Sequence, residues 1–89
     1  MGRASRPTPK RLAEKLFKIR QALDLSQNQL IQRLNYEELD LSQGSISNYE
    51  RGTREPPLTL LLRYAQLADI SVDLLIDDNV SLPERLPNK

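Results

Sequence analysis

An all-α fold of five short helices is predicted for this 89-residue chain by three observations. Apolar residues recur at steps of three and four, helix-capping residues precede most of these runs, and no stretch alternates apolar and polar residues as a strand does. The first helix opens with Thr8 as N-cap and Pro9 at the first helical position, where a missing N–H has no helical partner to lose. From there Leu12, Leu16, Ile19 and Leu23 form one stripe with Phe17 beside it, and Lys10, Arg11, Lys15, Lys18 and Gln21 take the other faces.

Ser26 caps the second helix, whose apolar stripe is Leu30, Ile31 and Leu34. Two ends fit this helix: a left-handed turn at Asn35, or a longer run through Tyr36, Glu37 and Glu38 to about Leu39. Ser42 caps the third helix, which holds only Ile46 and Tyr49 as apolar anchors and stops at Gly52. Thr53 to Pro57 is a loop, because Pro56 and Pro57 cannot sit inside a helix. The fourth helix begins near Leu58 with a stripe of Leu58, Leu61, Leu62, Ala65 and Ala68, and Tyr64 and Phe17 are assigned to the core. Ser71 caps a last short helix carrying Val72, Leu74, Leu75 and Ile76. The chain therefore divides into a flexible basic arm at 1–8, a helical domain at 9–78 and a C-terminal tail at 79–89.

Composition narrows the function by what it lacks. With no Cys there is no disulfide framework, thiolate metal site or thiol nucleophile, and with no His the usual general base and nitrogen ligand are gone. An enzyme is not expected, nor a cofactor or a metal. No apolar run approaches the ~20 residues of a membrane span, and no signal-peptide core follows the N-terminus, so a cytoplasmic protein without a membrane partner is expected.

Thirteen Lys and Arg against twelve Asp and Glu leave a net charge of +1, which by itself points to no polyanion. The distribution is uneven. Residues 1–24 carry seven basic and two acidic groups, residues 25–54 three and four, and residues 55–89 three and six. One end can therefore face a polyanion while the other faces away, although an ordinary solvated surface with a basic terminus fits the same numbers.

The third helix is hard to explain by folding alone. Gln43, Gly44, Ser45, Ser47 and Asn48 surround two anchors, and Gly44 costs ~1 kcal/mol in a helix interior. Short amide and hydroxyl side chains on a rigid helix suit base edges, since Asn and Gln can pair with adenine and Ser with several bases. A polar, solvent-facing helix with nothing bound is the plainer alternative.

At this point the sequence resembles a known family, the lambda-repressor/Cro-like helix-turn-helix regulators of the XRE type. The resemblance rests on Leu25-Ser26-Gln27 with Leu30 and Leu34, on Leu41-Ser42 with Ile46-Ser47-Asn48-Tyr49-Glu50-Arg51-Gly52, on Pro56 with Leu61 and Ala65, and on Val72-Asp73-Leu74-Leu75. It spans roughly residues 12–76 and implies a five-helix lambda-repressor-like DNA-binding domain. By that resemblance Gln43, Gly44 and Asn48 face base edges, while Gln27, Ser45, Ser47, Arg51 and Arg54 lie near the DNA backbone. Arg20 and Glu50 match an internal ion pair. Arg3, Arg6, Lys10 and Arg11 are candidate contacts of the arm, set against a basic tail that serves only solubility.

Three departures from the family pattern stand out. Eleven residues separate Leu34 from Ile46, about five more than usual, so the helix-turn-helix contains either an extended connection or a longer second helix. Ile31 occupies a place where the family often has Ala, and Asp24 and Asp69 stand where it often has Gly. The resemblance implies a regulator, a repressor first, that binds a (pseudo)palindromic double-stranded operator as a homodimer. Ile70 to Ile76 is the expected dimer surface, unless its surplus apolar residues pack under Leu82 and Leu86 instead. The competing reading is an antitoxin-like or adaptor module that binds a protein partner through the same fold.

Overall fold

The computed structural model describes residues 9–86 as five helices, with no strand among the described residues. They are α1 (Leu12–Ala22), α2 (Gln27–Leu34), α3 (Gln43–Arg51), α4 (Leu58–Ala68) and α5 (Asp73–Ile76). α1 packs against α3, α4 and α5, and α2 packs against α3 and α4, so α3 is wedged between the first two helices.

The start of α1 differs from expectation. Thr8 lies outside the described residues, Lys10 and Arg11 form a turn, and the helix begins at Leu12 with no cap from a nearby side chain. The cap comes from the other end of the chain. Asp78 accepts hydrogen bonds from the backbone N–H groups of Lys10 (Oδ2, 2.9 Å) and Arg11 (Oδ1, 3.0 Å), and Arg11 answers through Nη1 to the Asp78 carbonyl. A carboxylate at a helix N-terminus satisfies orphan donors and meets the positive end of the helix dipole. Periodicity within α1 carries no trace of a partner more than sixty residues away.

α2 ends where the sequence allowed a turn. Asn35 adopts the left-handed conformation (φ 48°), so the connection to α3 is extended and the longer helix does not form. Asp24 (φ 58°) and Asp69 (φ 59°) are left-handed too, as is Gly52 (φ 77°). These positions reverse the chain after α1, α4 and α3 respectively, and short polar side chains tolerate that region better than others. After α4, Ile70 N–H returns to the Ala65 carbonyl at 2.9 Å and Asp69 N–H to Gln66, which closes the helix end.

The core gathers Leu12, Leu16 and Ile19 of α1, Leu30 and Leu34 of α2, and Ile46 and Tyr49 of α3, all buried. α4 buries Leu61, Tyr64, Ala65 and Ala68 as expected, but Leu60 joins them in place of Leu58 and Leu62, which are 61% and 46% exposed. The helix begins after Pro57, and its phase is set by Tyr64, which is completely buried, so the face with Leu58 and Leu62 points outward. Each fully buried Leu or Ile stabilises by about 1.5–3 kcal/mol, so this choice of face is not marginal.

Two α1 residues also exchange roles. Phe17, expected in the core, is 38% exposed and lies under the Arg20 guanidinium at 5.4 Å from its ring centre. Lys15, expected on a solvated face, is 1% exposed. Its ammonium donates to the backbone carbonyls of Leu74 (2.7 Å) and Asp77 (2.8 Å), capping the C-terminal end of α5. The aliphatic stem fills core space while the head finds acceptors, and burial pulls its pKa below the usual lysine range.

Residues 79–86 are not a free tail. Leu86 is 3% exposed within the core, and Leu82 packs beside it. The helical unit thus runs past the boundary expected at residue 78. α5 is a single turn whose N-cap is Val72 and not the expected Ser71; Ser71 lies one residue earlier, and its Oγ accepts from Asp73 N–H at 3.3 Å.

Candidate nucleic-acid interface

α2 and α3 are both set by reciprocal serine caps. Ser26 Oγ accepts from Gln29 N–H at 3.1 Å while Gln29 Oε1 accepts from Ser26 N–H at 2.9 Å. Ser42 Oγ accepts from Ser45 N–H at 3.2 Å, and Ser45 Oγ accepts from Ser42 N–H at 3.3 Å. Two orphan donors are satisfied at each end, which fixes where each helix starts. Gln27 therefore opens α2, and Gln43 and Gly44 open α3 with both exposed.

Gly44 is not demanded by the fold. A Cβ there would meet only Ser42 Oγ at 3.6 Å, ordinary contact, and its backbone is helical. The missing side chain instead leaves bare helix at the exposed edge. Ile46 and Tyr49 sit on the opposite edge, fully withdrawn at 0% and 3% exposure. Tyr49 is thus a packing residue. Burial pushes its hydroxyl above the usual tyrosine range, and Arg54 opposes that shift.

The end of α3 is held by two networks. Arg20 grips Glu50 with Nε to Oε2 at 2.7 Å and Nη2 to Oε1 at 3.0 Å, and its Nη1 reaches the Leu25 carbonyl at 3.0 Å. The one acidic residue of α3 is thereby neutralised at a helix whose outer surface is otherwise polar and basic. One turn away, Asn48 Oδ1 accepts from Arg51 Nη2 at 2.9 Å and from Thr53 Oγ1 at 3.2 Å. Thr53 N–H also closes the helix on the Asn48 carbonyl at 3.0 Å.

A family model described as helix-turn-helix matches residues 16–75, from the middle of α1 to α5. The chain belongs to the Cro/C1-type helix-turn-helix family. No curated protein and no solved structure matches it at a significant level. As a helix-turn-helix protein it carries the DNA-binding domain of a transcription regulator. Among the described residues no helix is long and apolar enough to cross a membrane.

Within this helix-turn-helix frame the expected site residues divide. Gln43 and Gly44 are exposed at the start of α3, Ser47 and Asn48 are half-buried along it, and Arg51 and Arg54 are exposed at its far end. Gln27 is half-buried at the start of α2. Ser45 Oγ accepts the reciprocal cap bond from Ser42 N–H, which leaves its O–H as a donor at the start of α3. Arg3 and Arg6 lie outside the described residues. Arg11 directs its guanidinium to Ser81 Oγ (3.1 Å) and the Asp78 carbonyl. Lys10 remains exposed and lines a cleft with Tyr49, Gly52, Arg54 and Pro56.

Sequence reasoning missed Thr53 and Tyr36. Thr53 sits just past the Gly52 stop, where a hydroxyl can reach back into the last turn, and that position is the signal that marks it. Tyr36, in the long connection, bonds Thr59 Oγ1 of α4 at 2.7 Å through its hydroxyl, and nothing in local spacing announces that pairing.

Proposed function

We propose that this helix-turn-helix protein is a cytoplasmic transcriptional repressor that lays α3 into the major groove of a palindromic operator. The observation that carries the reading is the division of α3 into a sunken apolar edge, Ile46 and Tyr49, and an outer edge of Gln43, Gly44 and Asn48. Polar residues outside are common to surface helices, but Gly44, which the packing does not require, lies among them on the exposed edge. Gln43 and Asn48 read base edges, Gly44 admits close approach, and Gln27, Ser47, Arg51 and Arg54 meet phosphates. Lys10, beside Arg54 in the same cleft, extends the cationic edge, and Arg3 and Arg6 are further candidate phosphate contacts.

A gel-shift titration on a selected palindromic site tests this. Gln43→Ala is expected to weaken specific binding about 5- to 100-fold while binding to random duplex is unchanged. Equal losses on both DNAs overturn the base-reading role.

The dimer reading is supported by an apolar face between α4 and α5. Leu58, Leu62 and Ile76 are 61%, 46% and 40% exposed, with Val72 and Thr59 completing the lining. Two copies joined there would address half-sites one helical turn apart, ~34 Å. Sedimentation is expected to give a dimer that Leu62→Glu dissociates. A monomer at every concentration withdraws the dimer and favours the antitoxin-like or adaptor reading, with this face given to a different protein.

A further inference from the structure

We infer that Asn48 is locked as a pure hydrogen-bond donor, and that it therefore selects guanine at the base pair it faces. The inference rests on the proposed base-reading role of α3 and sharpens it to a base identity.

A carboxamide offers one oxygen with two lone pairs and one nitrogen with two hydrogens. Recognition of adenine uses both halves at once: the oxygen accepts from the N6 amino group while the nitrogen donates to N7. In Asn48 the oxygen is already engaged. Arg51 Nη2 donates to Oδ1 at 2.9 Å, and that bond fixes which atom of the amide is oxygen, because a guanidinium has only donors to give. Thr53 Oγ1 shares its single hydrogen between Oδ1 at 3.2 Å and the Asn48 backbone carbonyl at 3.3 Å. The Asn48 Nδ2 has no hydrogen-bond partner among the described residues, and the residue is half-exposed on α3.

Thr53 is itself anchored. Its N–H bonds the Asn48 carbonyl at 3.0 Å, beside the left-handed Gly52, so the hydroxyl is carried to the amide by the helix stop. Arg51 uses one nitrogen on Asn48 and keeps its remaining donors, so a contact to phosphate would tighten the lock. An edge that meets this amide must supply acceptors only. Guanine does so twice, with O6 and N7, one for each hydrogen of Nδ2; thymine offers the single acceptor O4 beside a methyl group, and adenine would leave its amino group facing an oxygen whose lone pairs are taken.

Selection of bound sequences from a random duplex library, using the full chain, tests the inference. The pair read by Asn48 is the one whose preference disappears in Asn48→Ala. The unmutated chain is expected to favour guanine over adenine there by about 5- to 100-fold. In Thr53→Val/Arg51→Met the oxygen is released, and adenine is expected to rise to parity or above. Adenine, thymine or cytosine at that pair in the unmutated chain overturns the inference while leaving DNA reading intact. So does a guanine preference that survives the double substitution unchanged. A library that returns no enriched sequence overturns the base-reading role as well. Circular dichroism of each variant separates a lost fold from a changed preference, and the result for the unmutated chain stands without any variant.

Discussion

The guanidinium of Arg20 and the carboxylate of Glu50 meet edge to edge, at 2.7 and 3.0 Å, and join the last turns of α1 and α3. The side chains are 18% and 6% exposed, so the pair is mostly withdrawn from water. Removing only the cation strands a buried carboxylate. Arg20→Met is expected to destabilise by about 3–5 kcal/mol, and Arg20→Met/Glu50→Met together by clearly less. Urea midpoints of the two single variants and the double variant give the coupling; purely additive losses contradict it.

Asp78 ties the start of α1 to the chain beyond α5, and its pKa reports that bond. Hydrogen bonds from the Lys10 and Arg11 N–H groups hold its carboxyl below the ordinary value of 3.8. A depressed folded pKa means the stabilisation is complete above the unfolded value and disappears as pH falls through the folded one. The unmutated chain is expected to lose stability below about pH 4, and Asp78→Asn to flatten that limb. Urea midpoints measured across the acid range decide it, since an unchanged acid limb removes Asp78 from the account.

Asp69 holds a left-handed backbone at φ 59° in the turn after α4, where a side chain is strained. Asp69→Gly is expected to stabilise by about 1 kcal/mol, or about 4–8 °C in Tm for a domain of this size. Asp24, at φ 58°, is expected to respond in the same direction. A fall in Tm in both variants would show that their side chains contribute more than the backbone loses.

Tyr64 is completely buried and its hydroxyl has no hydrogen-bond partner among the described residues. Burial holds that hydroxyl far above the usual tyrosine range. Tyr64→Phe removes an unsatisfied polar atom while keeping the ring, and is expected to be neutral or to stabilise by up to ~1 kcal/mol. A loss beyond 1 kcal/mol in chemical denaturation would reveal a bond to the hydroxyl.

The helices were legible in the sequence because caps and spacing are local. Ser26 and Ser42 announce α2 and α3 by themselves, Pro56-Pro57 and Gly52 bound the loop, and Asn35, Asp24 and Asp69 are turn formers placed where turns occur. What stayed hidden depends on partners distant in sequence. Lys15 looks like any surface lysine until the carbonyls of α5 arrive beneath it, and Arg11 looks free until Asp78 and Ser81 close over it. Leu60 joined Tyr64 in the core in place of Leu58 and Leu62 because periods of three and four allow either stripe, and only packing chooses between them. Gln43 and Gly44, exposed at the start of α3, could be read as candidates from type and position. The orientation of the Asn48 amide could not, because Thr53 and Arg51 determine it in space.

The bond from Tyr36 to Thr59 has a consequence for how this architecture tolerates change. In a short helix-turn-helix the turn itself sets the pose of the second helix, so lengthening it would be expected to spoil the geometry. Here Tyr36 fastens the connection to α4 immediately after Asn35, and Ser42 restarts the helix on its own. Between those two fixed points Glu37, Glu38, Leu39 and Asp40 are all exposed, and their side chains make no hydrogen bond or ion pair among the described residues. Added loop length costs only about 0.6 kcal/mol per doubling, so this bend is a port for insertion, where a peptide tag or a fluorophore can be accommodated beside α3 without turning it.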